Sequence, residues 1–518
     1  MGKYIGIDLG TTFSCAAYID SNGQPVIIPN SEGEYTTPSS VLFDGSSTIV
    51  GKEAKNQSIL EPHNFEQFVK RHMGERDYFF TTMDGEKYTP EEVSAIILTK
   101  IKNDAESHLG ESVDGAVITV PAYFNEAQRK ATMDAGKIAG LNVLAIINEP
   151  TAAALAFGIT KASDQAQTIM VYDLGGGTFD VTVMKFDGED ITVLSSVGDR
   201  KLGGYDFDYR IIKAVIAEAE QKGLDVEADP VARQDLQLKA EDAKKALSAK
   251  EKTNIVLNIS GRPFKYTLTR DAFAEMAEPL LFKTIGSMET ACDEAGIAYS
   301  DLDKILLVGG STKMPLVGEA IAEETGITPS SEVHPDEAVA VGAAYYVLDV
   351  LKKQQKKEAA DANSTTQELI IPEPAKQYRF KDVTAHGIGV VCLDDYGEIN
   401  SVILPKNTQV PAAATNQYCT TVPYQEKLYI QVTQGEEEDL RYVTVIGTAE
   451  ISIEPREKLV GIEVTISCDE NSIIHVKVYD LDRRRDLGEM NIDRVSNLTE
   501  EEIHRNRSRV SRLDISGE

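Results

Sequence analysis

Two stretches of this sequence decide its reading: Tyr4-Ile5-Gly6-Ile7-Asp8-Leu9-Gly10-Thr11-Thr12-Phe13, and Ile169-Met170-Val171-Tyr172-Asp173-Leu174-Gly175-Gly176-Gly177-Thr178-Phe179-Asp180. Each is an apolar strand that ends on an aspartate and breaks into glycines and threonines. Each then continues into a second strand that closes at a turn dipeptide, Asn22-Gly23 in one copy and Asp187-Gly188 in the other. The dipeptide begins fourteen residues after the aspartate both times. Asn-Gly and Asp-Gly between apolar runs are hairpin turns, so the repeat predicts two similar lobes facing one cleft. Glycines let backbone N–H groups approach phosphate oxygens, and Thr11, Thr12 and Thr178 add hydroxyls. Asp8 and Asp173 would be costly to bury without compensation, which points to a hydrated Mg²⁺ between the lobes. One glycine-rich turn alone reads as a tight hairpin; two of matched spacing do not.

Working outward, a third glycine strand end, Ile305 to Val308 followed by Gly309-Gly310-Ser311, precedes a helix expected near Thr312, whose N-terminus can face a base or sugar. Thr89-Pro90-Glu91-Glu92 is a capping box with proline at the first helical position. Asn125 caps a helix running to about Gly140, and Asp229-Pro230 opens another that carries Lys244 and Lys245. Strands alternating with helices over roughly 350 residues predict a two-lobed α/β domain. Its last helix, expected from about His334-Pro335-Asp336-Glu337, ends in the cations Lys352 to Lys357. The boundaries that follow are a domain at 1–357, a polar linker at 358–383, a third unit at 384–495 and a short charged tail at 496–518. In the third unit the period changes to two: Leu428, Ile430 and Val432 alternate with polar residues, as do Ile462/Val464/Ile466 and Ile474/Val476/Val478. That alternation predicts an antiparallel β-sandwich.

Lys and Arg total 52 against 83 Asp and Glu, a net charge of −31. Such a surface repels phosphate backbones and anionic lipid, which argues against nucleic-acid and membrane-surface roles. The N-terminus enters a strand at once and no long apolar run follows, so neither a signal peptide nor a membrane span is expected. Cys15, Cys292, Cys392, Cys419 and Cys468 are scattered, with no CxxC pair. They read as thiols of a reducing cytoplasm, with Cys15 and Cys419 expected to be buried.

The ordered motifs Ile7-Asp8-Leu9-Gly10-Thr11-Thr12, Asn148-Glu149-Pro150-Thr151-Ala152-Ala153-Ala154, Asp173 to Asp180 and Val308-Gly309-Gly310-Ser311-Thr312 resemble the ATPase signatures of the heat-shock seventy, or DnaK-type, chaperones. The resemblance runs from residue 3 to about 503 and includes Leu404-Pro405-Lys406-Asn407-Thr408 and Gln434-Gly435-Glu436. It implies an actin-like ATPase domain followed by a peptide-binding sandwich, using ATP or ADP, Mg²⁺ and K⁺. Lys70 would then be the catalytic lysine, with Glu149 and Asp173 placing the attacking water. Asp8, Asp173 and Asp180 would line the cation sites, Asp8 and Asp173 holding Mg²⁺ through water. Gly10, Thr11, Thr12, Phe13, Gly175, Gly176, Gly177 and Thr178 would hold phosphates. Glu241, Lys244 and Ser248, on one helical face, would clamp the adenosine with Lys245, aided by Gly309, Gly310, Ser311, Lys313 and Asp336. Pro121, Arg129 and Asp382 would carry the allosteric signal. Val390, Leu393, Val422 and Leu428 would line the peptide groove, although each also suits an ordinary sandwich core.

The resemblance implies unfolded or extended polypeptides as partners, with a J-domain co-chaperone and a nucleotide-exchange factor. This chain departs from the pattern at four places. Ala145 stands where a basic residue usually meets the J-domain. Lys245 replaces an arginine whose plane would stack on adenine. The leucine-rich linker is replaced by Tyr378-Arg379-Phe380-Lys381-Asp382-Val383, whose Tyr378 and Phe380 could dock as an alternating pair. The tail, with Arg505, Arg507, Arg509 and Arg512, reads as a lid remnant too charged for a wide apolar face, so peptide release is expected to be fast. A sugar kinase sharing the lobed core and an ATP-binding interaction module with little hydrolysis are the competing classes; peptide-stimulated turnover without a sugar separates the chaperone from both.

Overall fold

The computed structural model describes residues 3–45, 47–161, 165–360, 371–372, 378–469, 473–491 and 498–516. Most of the expected linker lies outside them. The two copies of the repeat build two sheets of the same local plan. In the first, Lys3–Asp8 pairs antiparallel with Phe13–Ile19 and parallel with Val113–Val120, which continues parallel to Val143–Asn148. In the second, Gln167–Leu174 pairs antiparallel with Phe179–Asp187 and parallel with Lys304–Val308. Each aspartate therefore lies at or next to the end of a largely buried strand within its sheet, which is why the residues before it, Tyr4–Ile7 and Ile169–Tyr172, carry no charge.

One long helix, Ala338–Ala360, crosses the seam, and small residues let it come close. A Cβ on Gly342 would stand 1.8 Å from the Ala152 carbonyl oxygen, and one on Gly6 would stand 2.2 Å from the Ala344 nitrogen. Helix ends follow local chemistry. Thr89 and Asn125 close full capping boxes, and the Asp229 carboxylate accepts from the Ala232 N–H. The helix expected near Thr312 begins later: Gly310–Lys313 forms one tight turn and Pro315–Thr325 is the helix, proline taking its first position.

Beyond residue 378 the chain forms two four-stranded antiparallel sheets, one from Ile388–Leu393, Glu398–Leu404, Lys427–Gln434 and Thr444–Ser452. The other consists of Ala412–Cys419, Gly461–Cys468, Ile474–Asp480 and Arg485–Asn491. Their inward residues, among them Leu428, Val432, Val464, Ile466, Val476 and Val478, share one core. Of the two cysteines expected to be buried, Cys15 is and Cys419 is exposed, since it ends a strand on the outward register.

The connection between the two parts is structured where it is described. Arg379–Lys381 adds as a parallel strand to Asp190–Asp199. The Tyr378 hydroxyl donates to the Gly158 carbonyl at 2.7 Å, and its ring meets Phe186 edge-on at 6.3 Å. The C-terminal sheets also touch the first part directly. The Asn407 amide donates to Glu294 at 2.8 Å, Lys406 pairs with the same carboxylate, and His386 packs its ring on Tyr123.

The tail differs from its expectation. Thr499 caps a helix, Glu500–Val510, in which Ile503 and Val510 are buried in the core of the N-terminal sheet, despite the arginines between them. The charges take the other face: Arg509 donates to Lys87 carbonyl at 2.7 Å and to Glu86 at 2.7 Å, and lies 4.0 Å over the Tyr88 ring. Asp514–Ser516 then pairs parallel with Ser47–Val50, at the edge of that neighbouring sheet. A narrow stripe was enough because the partner surface is already apolar. Ile503→Ala is expected to lower unfolding stability by about 2–5 kcal/mol through the cavity it leaves. Ile473→Ala, at an exposed position, should be near neutral; denaturant midpoints of the two variants check this.

Candidate functional site

The two aspartate–glycine tips and the third glycine end meet in one cleft of about 430 Å³. They meet because nothing but hydrogen occupies the contact. A Cβ on Gly176 would fall 1.8 Å from the Thr12 hydroxyl, one on Gly177 2.5 Å from the Thr11 methyl, and one on Gly203 2.4 Å from the Gly177 nitrogen. Gly309 sits at φ +82°, and a side chain there would strike the Leu174 carbonyl. Ser311 donates to the Gly175 carbonyl at 2.8 Å and ties the third end to the second tip.

At the floor, Lys70 Nζ donates to Glu149 Oε1 at 2.6 Å, both side chains being buried. Around that pair lie more carboxyls than one lysine can balance. Burial pushes the Asp8 carboxyl up to about 7, and Glu149 adds to the rise, while Lys70 and a hydrogen bond from Thr119 at 3.1 Å oppose it. Burial also raises Asp173 well above the usual carboxylate range, with Glu149, Asp180 and Asp8 pushing the same way. Asp180 is raised to about 7 by burial and then Glu149, against the Tyr123 N–H at 3.1 Å. A buried anionic cluster of this kind is stable only with protons or a further cation.

The other end is lined from the helix Pro230–Leu247. Burial acts to raise Glu241, but Lys55 and Lys245 outweigh it and bring its carboxyl down to about 2. Lys244 donates to Asp208 and to the Gly204 carbonyl, both at 2.9 Å. Lys245 and Lys55 both lie over the Phe13 ring, at 5.1 and 5.7 Å. Lys313 pairs with Asp336 at the rim.

Of the residues singled out from sequence for this cleft, Asp8, the tip residues Gly10 to Phe13, Lys70, Glu149, Asp173 and the Glu241 to Ser248 face all line it. So do Gly309, Gly310, Ser311, Lys313 and Asp336. Gly177 and Asp180 lie behind its wall. The sequence reading missed Lys55, Thr119 and Asp208. Thr119 carries a signal, a lone polar residue inside Val117-Ile118-Thr119-Val120; Lys55 carries none.

Arg129, Asn148 and Asp382 form a chain away from the cleft. Arg129 Nη2 donates to Asn148 Oδ1 at 2.6 Å, and Asn148 Nδ2 donates to Asp382 Oδ2 at 3.0 Å. Burial lowers the Arg129 guanidinium from its ordinary value and raises Asp382, and their opposite charges partly restore each other. Pro121 ends the strand just before this cluster, its carbonyl accepting from Phe124. The four expected groove residues do not converge: Val390 and Leu428 are core, whereas Leu393 is 60% and Val422 53% exposed.

Interlocked glycine tips and hydroxyls thus line a cleft whose floor sets one buried lysine, Lys70, against an excess of carboxyls. A family model described as Hsp70 protein matches residues 4–514, and the chain belongs to the Hsp70 family. Members of that family are ATPases that bind ATP and ADP with Mg²⁺ and act as ATP-dependent chaperones, binding unfolded polypeptides and co-chaperones. Among the described residues no helix is long and apolar enough to cross a membrane. Gly176→Ala must push the Thr11–Thr12 tip away. Overpacking strain of about 1–3 kcal/mol corresponds to roughly 5- to 150-fold weaker ADP binding, read by calorimetric titration.

Proposed function

We propose that this chain is a DnaK-type chaperone that grips extended apolar segments in its C-terminal sheets and lets ATP control the grip. The observation that carries this reading is the adjacency of Asn148 and Glu149. Glu149 holds Lys70 at the cleft floor, and the residue before it bonds the linker aspartate Asp382. A shift at the floor therefore has one peptide bond to travel before it reaches the connection between the two parts.

In this reading residues 1–357 are a two-lobed actin-like ATPase domain and 358–383 the linker. Residues 384–495 are a peptide-binding sandwich, and 496–518 a charged tail. Asp8 and Asp173 hold Mg²⁺ through water, with K⁺ nearby. The excess of buried carboxyls fits such ions, and among the described residues no three ligands stand close enough to hold one directly. When bound, Mg²⁺ neutralises charge on the phosphate oxygens. Lys70 does the same at the terminal phosphate, Glu149 and Asp173 orient the attacking water, and Asp180 supports them from behind the wall. Glu241, Lys244, Lys245 and Ser248 hold the adenosine. Arg129, Pro121 and Asp382 pass the change outward.

Leu393 and Val422 are the members of the expected groove set that a peptide can reach. The tail helix makes its contacts on the N-terminal half, so the sheets hold peptide without it. Ala145, partly exposed on Val143–Asn148, offers no cation to a J-domain, which favours an altered co-chaperone contact; an exchange factor remains part of the cycle. Free thiols at all five cysteines suit a cytoplasmic setting.

Lys70→Ala is expected to cut single-turnover hydrolysis by about 10²-fold or more while ADP binding stays within a few-fold. Hydrolysis near the unmutated rate would remove Lys70 from the chemistry. For coupling, ATP should weaken peptide binding by about 1–3 kcal/mol, and peptide should weaken ATP binding equally. The double change Tyr378→Ser with Phe380→Ser should erase the effect, because it undocks the connecting strand. Equal peptide affinity with ADP and with ATP in the unmutated protein would make the sheets a fixed interaction module instead.

A further inference from the structure

Beside the cleft lies a second chamber of about 410 Å³, and only a pair of aromatic rings is common to the walls of both where the two halves meet. Phe68 comes from the first half, between the strand Phe65–Gln67 and the turn Val69–His72 that carries Lys70. Tyr205 comes from the second half, at the start of the helix Gly204–Gln221. Their rings meet edge to face at 4.8 Å, across the gap between the halves.

We propose that this Phe68–Tyr205 contact is a gate through which inorganic phosphate leaves the cleft, separately from the nucleotide. The inference rests on the ATPase reading above. Three observations carry it. First, Phe68 lies two residues from Lys70, so its leaf of the gate stands beside the lysine assigned to the terminal phosphate.

Second, Phe68 adopts φ +69° and ψ 15°, a left-handed conformation that a bulky side chain rarely takes. Strain of this kind persists where the surroundings enforce it, and it clusters at functional positions. Here it turns the ring across the passage.

Third, the far chamber suits a small anion. Lys201 and Gln237 offer donors along its walls, beside Arg71, which Asp206 holds, and Gln234, which donates to Ser58. Glu66, the carboxyl facing them, is pushed up to about 7 by burial, against a hydrogen bond from the Tyr78 hydroxyl at 3.1 Å, and so repels an anion less than an ordinary glutamate would. Arg71, on the turn that follows Phe68, pairs with Asp206 at 3.1 Å and lies 4.6 Å over the Tyr205 ring, so it steadies Tyr205 against the first half and the Phe68 ring is the leaf left to move.

Packing alone would also bring two rings together, and the two accounts differ in what the ring obstructs. The test needs no turnover: exchange of inorganic phosphate on the ADP-loaded protein, followed by ³¹P line broadening, beside dissociation of labelled ADP. Phe68→Gly suits the left-handed backbone while deleting the ring, and Tyr205→Leu opens the same passage from the other side. Phosphate exchange should quicken about fivefold or more in both variants, with ADP dissociation within about twofold of the unmutated protein. Unchanged phosphate exchange, or ADP dissociation quickened to the same degree, overturns the gate and leaves the ATPase reading standing. Failure of the unmutated protein to bind ADP overturns both.

Discussion

Close backbone approach, made possible by missing side chains, is the constraint on which this molecule depends. Gly176 and Gly177 lie against Thr12 and Thr11, Gly203 against Gly177, and Gly309 against Leu174, each at a distance no Cβ could share. The same device recurs deeper in the fold, where Gly6 and Gly342 let one helix cross the central strand and press on a neighbouring helix. Remove these contacts and each sheet keeps a large core of its own, besides the buried cluster in which Val117 and Ile147 of one meet Val171 and Leu306 of the other. What is lost is the cleft. Glycine's entropic cost is accepted at these positions because the two halves can meet closely in no other way.

The electrostatics follow from that closeness. Carboxyls from both halves are forced into one dry volume with a single lysine, so their protons are held far more tightly than in water. At the other end the balance is reversed, with two lysines drawing Glu241 down to about 2. One end of the cleft calls for positive charge and the other has supplied its own. A polyphosphate carrying a cation satisfies the first, and a neutral, hydrogen-bonding group suits the second.

What could be read from the residues is what local chemistry decides. The repeated strand–glycine–strand unit, the caps at Thr89, Asn125 and Asp229, and the period-two strands after residue 384 were all legible, because a cap or an alternation is complete within a few residues. The face formed by Glu241, Lys244 and Ser248 was legible for the same reason. Thr119, Lys55 and Asp208 were not. Each acquires its partner from a distant part of the chain, and Lys55 looks like any solvated lysine until Glu241 arrives across the gap. The groove residues failed in another way: alternation says that Val390 and Leu393 differ in face from their neighbours, but not which face carries the core. The tail misled because arginines dominate its composition, while two apolar side chains decide its position.

That tail has a consequence for how the protein is made. The strand Ser47–Val50 emerges early from synthesis with one edge unpaired, and the residues that cover it, Asp514–Ser516, are translated long after it. Until then the nascent N-terminal half carries an open sheet edge and an uncovered apolar patch where Ile503 and Val510 will sit, features that invite pairing with other chains. A ribosome that stalls late would leave a molecule with an intact cleft and an unsealed flank. The folding of an early-made sheet thereby waits on a strand far along the chain.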